Sequence, residues 1–179
     1  MFSILSRVLN PEQIKAVYYA YVQSILQYGM ICWGGTYSTT IQPLIITQKS
    51  ILKAALKKPL RYSTNLLFQD FTVLDVRQLF IKVLLCHAIK NNFDFLWKSD
   101  YEYLTRHNIN IGISIPRILN TISTKCSYYI SHFIYGKIPV ELRTLGSCSL
   151  AVYKRKLDQW LLATGREASA AMIVSNYLV

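Results

Sequence analysis

Acidic residues are scarce in this sequence. The 179-residue chain has 9 Asp and Glu against 20 Lys and Arg, which gives a formal net charge of +11. No two acidic residues are adjacent, and they are spread from Glu12 to Glu167. Two-metal nucleotidyl transfer needs carboxylates that converge on a pair of magnesium ions, so the sequence predicts no catalytic site of this kind. The excess of cations indicates a polyanionic partner, with nucleic acid the first candidate and an anionic membrane surface the second.

Other common signatures of catalysis and cofactor binding are also missing. The sequence contains no CxxC pair, no phosphate-cradling P-loop, no GxSxG elbow, no HExxH pair and no GxGxxG motif. The three histidines do not stand at zinc-ligand spacing beside the four cysteines, which are Cys32, Cys86, Cys126 and Cys148. We therefore expect reduced thiols, no metal, no cofactor and no catalysis by this chain alone.

One charge-free stretch, residues 16–35, is about long enough to span a bilayer. Its apolar residues recur at helical spacing, and Gln23 and Gln27 lie opposite them, which favours a helix packed on a core over one surrounded by lipid. Arg7 interrupts the short apolar start of the chain, so no secretory signal is expected. These features predict no membrane span and a cytoplasmic or nuclear location.

The first part of the sequence contains residues that are typical of the start and the end of a helix. Asn10 can cap a helix that begins at Pro11, and Gln13 stands where a capping box places its partner. This helix is expected to end at Gly29. Its predicted buried stripe is Ile14, Val17, Tyr18, Tyr21, Ile25 and Tyr28.

A second helix is expected to begin after Thr39 or Thr40 and to end at Pro59. Lysines stand four residues apart along it, and such like charges weaken an isolated helix. A polyphosphate backbone would offset this repulsion, although a solvated face is the alternative interpretation. The candidate nucleic-acid-binding residues are Lys49, Lys53, Lys57, Lys58 and Arg61.

Further helices are expected along the rest of the chain. Asp75 and Gln78 form a second predicted capping box, and the apolar helix that follows should be central. Residues 91–120 are expected to form a long irregular connection, in which alternating isoleucines predict a short extended segment. Residues 163–179 are weakly patterned and are expected to be a mobile tail. The remaining predicted helices cover residues 63–71, 126–135 and a segment that starts at Ser149.

Several local patterns occur in an order that resembles one protein family. They are Ser24-Ile25-Leu26-Gln27-Tyr28-Gly29 on a tyrosine-rich helix, Cys32-Trp33-Gly34, Gln48-Lys49, the capped helix 75–90, Ile115-Pro116-Arg117, Lys137-Ile138-Pro139-Val140-Glu141-Leu142-Arg143, and Tyr153-Lys154-Arg155-Lys156-Leu157 with Trp160-Leu161. Together they resemble the thumb and post-polymerase region of reverse transcriptases from non-LTR retrotransposons of the LINE type, jockey-like in character. The resemblance covers about residues 11–162.

This resemblance implies a mostly α fold, with a small thumb-like helical bundle over residues 1–62, a further helical region over 63–162 with a long irregular connection, and a tail over 163–179. It implies binding of an RNA/DNA template–primer duplex through its phosphate backbone, and contact with an upstream palm domain or with a second copy. The family's paired aspartates in the Y-x-D-D loop have no counterpart here. The chain also departs from the family at Tyr135-Gly136-Lys137, where an aromatic-Asn pair is usual. The alternative function is a non-catalytic helical protein-interaction module.

Overall fold

The computed structural model describes residues 1–91, 125–143 and 149–174. These residues form helices and no strand, so the predicted mostly α fold is confirmed. The helices are α1 Phe2–Val8, α2 Pro11–Val17 continued by a π-helical segment Tyr18–Gln23 and by Ser24–Gln27, α3 Met30–Trp33, α4 Ser38–Ala55, α5 Thr64–Phe71, α6 Val76–Lys90, α7 Ser127–Tyr135, α8 Val140–Arg143, α9 Leu150–Thr164 and α10 Arg166–Val174.

The start of α2 follows the predicted capping chemistry. The Gln13 backbone N–H donates to Asn10 Oδ1 at 2.8 Å, and the Asn10 N–H donates to Gln13 Oε1 at 3.1 Å. Pro11 occupies the first helical position, where its missing N–H costs no hydrogen bond. Gly29 follows the helix with φ 61°, in the left-handed region that glycine adopts without strain. Both predicted ends of this helix are thus confirmed.

The second half of the predicted α2 stripe is wrong. Tyr21, Ile25 and Tyr28 were expected in the core, yet they are 61%, 71% and 85% exposed. The buried positions of this half are instead Gln23 and Leu26.

The cause is the π-helical segment Tyr18–Gln23 inside α2. A π-turn contains one residue more than an α-turn, so it rotates every later side chain around the helix axis. The buried residues accordingly run from Ile14 to Tyr18 in four steps, but from Tyr18 to Gln23 in five. A constant period of 3.6 residues therefore predicts the wrong face after Tyr18.

Two glycines let the chain pass closely over the central helix. A Cβ on Gly34 would lie 2.1 Å from Phe80 Cδ2, and a Cβ on Gly35 would lie 2.6 Å from Ile130 Cδ1. No larger residue fits at either position without displacing a core side chain. The turn after Trp33 thereby packs against α6 and α7.

Helix α6 is central, as predicted. The Gln78 N–H donates to Asp75 Oδ1 at 2.9 Å and the Asp75 N–H donates to Gln78 Oε1 at 3.1 Å, which confirms the second capping box. Seven apolar residues of α6 are buried around its circumference, namely Val76, Leu79, Phe80, Ile81, Leu84, Leu85 and Ala88. An α-helix that is apolar on nearly all sides must be covered on nearly all sides, and α3, α4, α7, α9 and α10 pack around this one.

Two hydrophobic cores hold the helices together. The larger core combines residues such as Leu26 and Ile41 with α6, α7, α9 and α10. The smaller core combines Phe2, Ile14 and Leu52 with α5 residues and Val73. Each core therefore contains residues from before and after position 62. The division of the chain into two units at that position stays a prediction.

Part of the segment that was expected to be a mobile tail is helical, which corrects that expectation. Residues Arg166–Val174 form α10, in which Ser169 and Ile173 are buried. The helix is rich in small residues, so its sequence shows little apolar periodicity, but those residues let it pack closely against α6. Residues 175–179 lie outside the described part of the chain.

Helices α7 and α9 confirm the segments predicted at 126–135 and after Ser149. Helix α5 confirms the predicted segment 63–71, although the Ser63 side chain makes no capping hydrogen bond. The alternating isoleucines of the predicted irregular connection lie outside the described residues, as does Cys148.

Candidate nucleic-acid interface

Helix α4 sets the positions of the basic residues that the sequence singles out. It begins at Ser38, slightly before the predicted start, and it ends at Ala55, four residues before Pro59. Lys49 and Lys53 therefore lie one helical turn apart on the same face, about 6 Å along the axis. Lys57 and Lys58 lie beyond the helix, contrary to the prediction.

The early end of α4 has a local cause. Lys57 adopts φ 53°, in the left-handed region, and the Lys58 N–H donates to the Lys53 carbonyl at 3.0 Å. This six-to-one hydrogen bond defines a Schellman motif, in which glycine usually occupies the left-handed position. A lysine there costs about 1–2 kcal/mol of backbone strain. The turn redirects the chain and places Lys57 beside α1.

A groove of about 630 Å³ runs between α1 and α4. Its wall carries five cations and three serine hydroxyls, and no carboxylate of the described residues lines it. The lining residues are Ser3, Ser6, Arg7, Ile46, Lys49, Ser50, Lys53, Ala54, Lys57, Lys58 and Leu60. Ammonium, guanidinium and hydroxyl groups are the side-chain donors that contact phosphate oxygens in nucleic-acid complexes.

Lys49 lies in the groove near two other cations, Lys53 and Arg166. Burial lowers the pKa of its ammonium, and the nearby charges of Arg166 and Lys53 lower it further. Asp75 partly offsets this effect by raising the same pKa. Like charges repel one another, so an anion bound beside Lys49 would reduce this repulsion.

Two of the predicted lysines already have protein partners. The Lys53 ammonium donates to the Leu60 carbonyl. Because a carbonyl is neutral, this hydrogen bond does not cancel the positive charge of Lys53. Lys58 Nζ lies 3.2 Å from Asp70 Oδ2, and Tyr62 donates to the same carboxylate oxygen at 2.8 Å. The hydrogen bond from Lys58 to Asp70 raises the pKa of that lysine. Lys58 therefore contributes less net charge to the groove than its neighbours.

The structure brings together four of the five candidate residues and leaves one outside. Lys49, Lys53, Lys57 and Lys58 line the groove, whereas Arg61 is exposed and does not line it.

Arg7 and the serine hydroxyls of the groove were not among the binding residues predicted from the sequence. Arg7 was considered only for its effect on a secretory signal. The apolar residues of this segment do not indicate the packed face, because Ile4 and Val8 are exposed while Phe2 and Ser6 are buried. The position of Arg7 in the groove depends on the packing of α1 on α4, which the local sequence does not show.

The second basic cluster of the sequence forms no such surface. Lys154, Arg155 and Lys156 are all exposed on α9, and consecutive residues on a helix point in directions about 100° apart. These three cations do not line a groove with the α4 lysines.

The described residues show no metal site and no membrane span. Residues 1–91, 125–143 and 149–174 contain no group of three or more His, Cys, Asp or Glu side chains that could hold a metal ion. Within the same ranges, each helix is too short or too polar to cross a membrane. No family model matches the chain, and searches of curated proteins and of solved structures found no match.

Proposed function

We propose that this chain is a C-terminal fragment of a retrotransposon RNA-directed DNA polymerase, which binds the phosphate backbone of an RNA/DNA template–primer and lacks the polymerase active site. The order of sequence motifs over residues 11–162 supports the family, and the net charge of +11 supports a polyanionic partner. The observation that carries the proposal is the groove between α1 and α4, which has five cations and no carboxylate on its described wall.

The proposed binding is electrostatic and independent of sequence. Lys49 and Lys53 would each approach one phosphate, and Arg7 would approach the backbone from the opposite wall. The serine hydroxyls would add neutral hydrogen bonds to phosphate oxygens. Contacts of this kind position a nucleic acid without reading its bases, so affinity should depend on salt more than on base composition.

A salt titration of binding to a labelled blunt RNA–DNA hybrid tests this proposal. We expect the logarithm of the association constant to fall linearly with the logarithm of the salt concentration, with a slope that corresponds to several released counterions. Absence of binding at low salt would overturn the proposal.

A second candidate function is a helical protein-interaction module, and the exposed face of α2 favours it. Tyr21, Ile25 and Tyr28 project from this face, and an apolar surface of this kind is typical of contacts between proteins. In the proposed parent polymerase the same face would contact the palm domain, and in the isolated chain it would support self-association. Sedimentation velocity at low and high salt separates the candidates, because salt-insensitive self-association without hybrid binding would favour the second.

A further inference from the structure

An apolar pocket of about 250 Å³ adjoins the basic groove. It lies where the end of α1, the start of α2, the end of α4 and α5 meet. Its lining is Ser6, Leu9, Pro11, Ile14, Ala55, Leu56, Lys57 and Phe71. Ser6 and Lys57 also line the groove, so a single ligand can contact both surfaces.

The two surfaces together suit a ligand with a small, largely apolar body and anionic attachments. The pocket is smaller than the roughly 300–1,000 Å³ of sites that hold drug-sized ligands, which limits its occupant to about one ring system. Ser6 Oγ donates to the Ser3 carbonyl at 3.1 Å, and its lone pairs can still accept a hydrogen bond from a polar ring edge. An acyl chain has no donor that could form this hydrogen bond with Ser6.

We propose that the groove and the pocket together hold one unpaired nucleotide, with its base in the pocket and its flanking phosphates on the groove cations. This inference rests on the proposed function, because it names the form of nucleic acid that the groove prefers. A paired base is stacked inside its duplex and cannot enter a protein pocket without being extruded. An overhang, a frayed end or a loop presents unpaired bases at no such cost.

Lys57 occupies the junction between the two surfaces. Its left-handed backbone is unfavourable for lysine, yet it places this cation where the pocket opens into the groove. Strain that is retained at one residue is an indication of a functional constraint there. In the proposed complex, Lys57 contacts the phosphate attached to the bound nucleotide.

Three hybrids test the inference with the full chain. They are a blunt RNA–DNA hybrid, the same hybrid with a three-nucleotide overhang, and the same hybrid with a three-residue abasic overhang that carries equal phosphates. We expect fluorescence anisotropy to give about tenfold tighter binding for the normal overhang than for the abasic one, because the two carry equal phosphates and only the normal one has a base to bury. The variant Ala55→Leu should fill the pocket and remove this preference, whereas Ala151→Leu on exposed α9 should keep it.

The outcomes separate the inference from the proposed function. Equal, salt-dependent binding of both overhangs would overturn the pocket's role and leave the proposed function intact. Absence of binding to all three hybrids would overturn both. Binding to phosphatidylserine vesicles in place of the hybrids would assign the site to an anionic lipid and overturn the inference. If Ala55→Leu does not fold, as judged by circular dichroism, the comparison of the two overhangs on the unaltered chain decides the question.

Discussion

Asp75 and Arg166 form an ion pair that joins residues 91 positions apart in the sequence. Arg166 Nε lies 3.0 Å from Asp75 Oδ2, while the other oxygen of the same carboxylate caps α6. The side chains are only 17% and 4% exposed. The Arg166 guanidinium also lies 4.4 Å from the centroid of the Phe68 ring and donates to Asn65 Oδ1 at 3.2 Å. One arginine thereby ties the start of α10 to the cap of the central helix and to α5.

Loss of Arg166 should destabilise the fold. The variant Arg166→Met keeps much of the apolar contact with Phe68 but leaves the Asp75 carboxylate buried without its cation, which costs about 3–5 kcal/mol. Urea unfolding followed by circular dichroism measures the change in the free energy of unfolding. The matched control is Lys58→Met at the more exposed pair with Asp70, which should leave the midpoint nearly unchanged. Equal effects of the two substitutions on the free energy of unfolding would show that the buried ion pair stabilises the fold no more than the exposed one.

Lys57 should limit stability and support binding at the same time. The variant Lys57→Gly removes the left-handed strain and should stabilise the fold by about 1 kcal/mol. The same change removes a groove cation, so hybrid binding should weaken. The control Thr72→Gly acts on the other non-glycine residue with positive φ in the described structure, at 52°, and Thr72 does not line the groove. Thermal unfolding and hybrid binding of both variants check the prediction, which fails if Lys57→Gly binds as tightly as the unaltered chain.

The π-helical segment of α2 should tolerate removal of one residue. Deletion of Ala20, an exposed residue within this segment, would convert the π-turn into an α-turn and keep Gln23 and Leu26 on the buried face. We expect this deletion variant to fold, with a thermal midpoint close to that of the unaltered chain. Deletion of the exposed Thr47 from α4, which has no π-turn, would rotate Ile41 away from Leu52 and should abolish cooperative unfolding. Loss of the fold in both variants would contradict this account of α2.

Buried tyrosines should make the fold sensitive to alkali. Burial raises the pKa of Tyr18 to about 12, well above its ordinary value of 10.0, and the Gln48 side chain donates to its hydroxyl at 2.8 Å. The folded state therefore holds the Tyr18 proton more tightly than the unfolded state, so this contribution to stability is complete below pH 10 and declines as the pH rises toward 12. Burial also raises the pKa of Tyr153, which acts in the same direction.

The variant Tyr18→Phe isolates the Tyr18 contribution. The alkaline decline in the urea midpoint should become shallower than in the unaltered chain and should not vanish, because Tyr153 remains. The surface variant Tyr28→Phe, at an exposed position, should leave the decline as it is. An unchanged alkaline profile in Tyr18→Phe would refute the assignment.

Local chemistry explains which parts of the fold the sequence predicts. Each capping box of α2 and α6 depends on two residues three positions apart. The sequence therefore shows both pairs directly, Asn10 with Gln13 and Asp75 with Gln78. The all-round apolar character of α6 likewise predicts its central place. These predictions need no knowledge of distant residues, and each is confirmed.

The missed features depend on contacts between distant residues. The π-turn changes the helical period within α2, so a search with one constant period cannot detect it. The docking of α10 depends on Arg166 meeting Asp75, which adjacent residues do not reveal. The groove likewise needs α1 packed on α4, so the lysine row was visible in the sequence while its partner Arg7 was not. Lys57 and Lys58 were predicted within α4 but lie beyond it, because the helix ends at Ala55 rather than at Pro59.

The measurement that tests the central claim most directly is the salt dependence of hybrid binding in two double variants. Lys49→Glu/Lys53→Glu reverses two cations of the groove, and Lys154→Glu/Lys156→Glu reverses two exposed cations of α9, so the net charge changes equally. If the groove contacts phosphates, the first variant should bind all hybrids more weakly, with its log–log salt slope reduced by about one for each lysine lost. The second variant should keep both affinity and slope close to those of the unaltered chain. Equal behaviour of the two variants would contradict the assignment of the α1–α4 groove as the nucleic-acid interface.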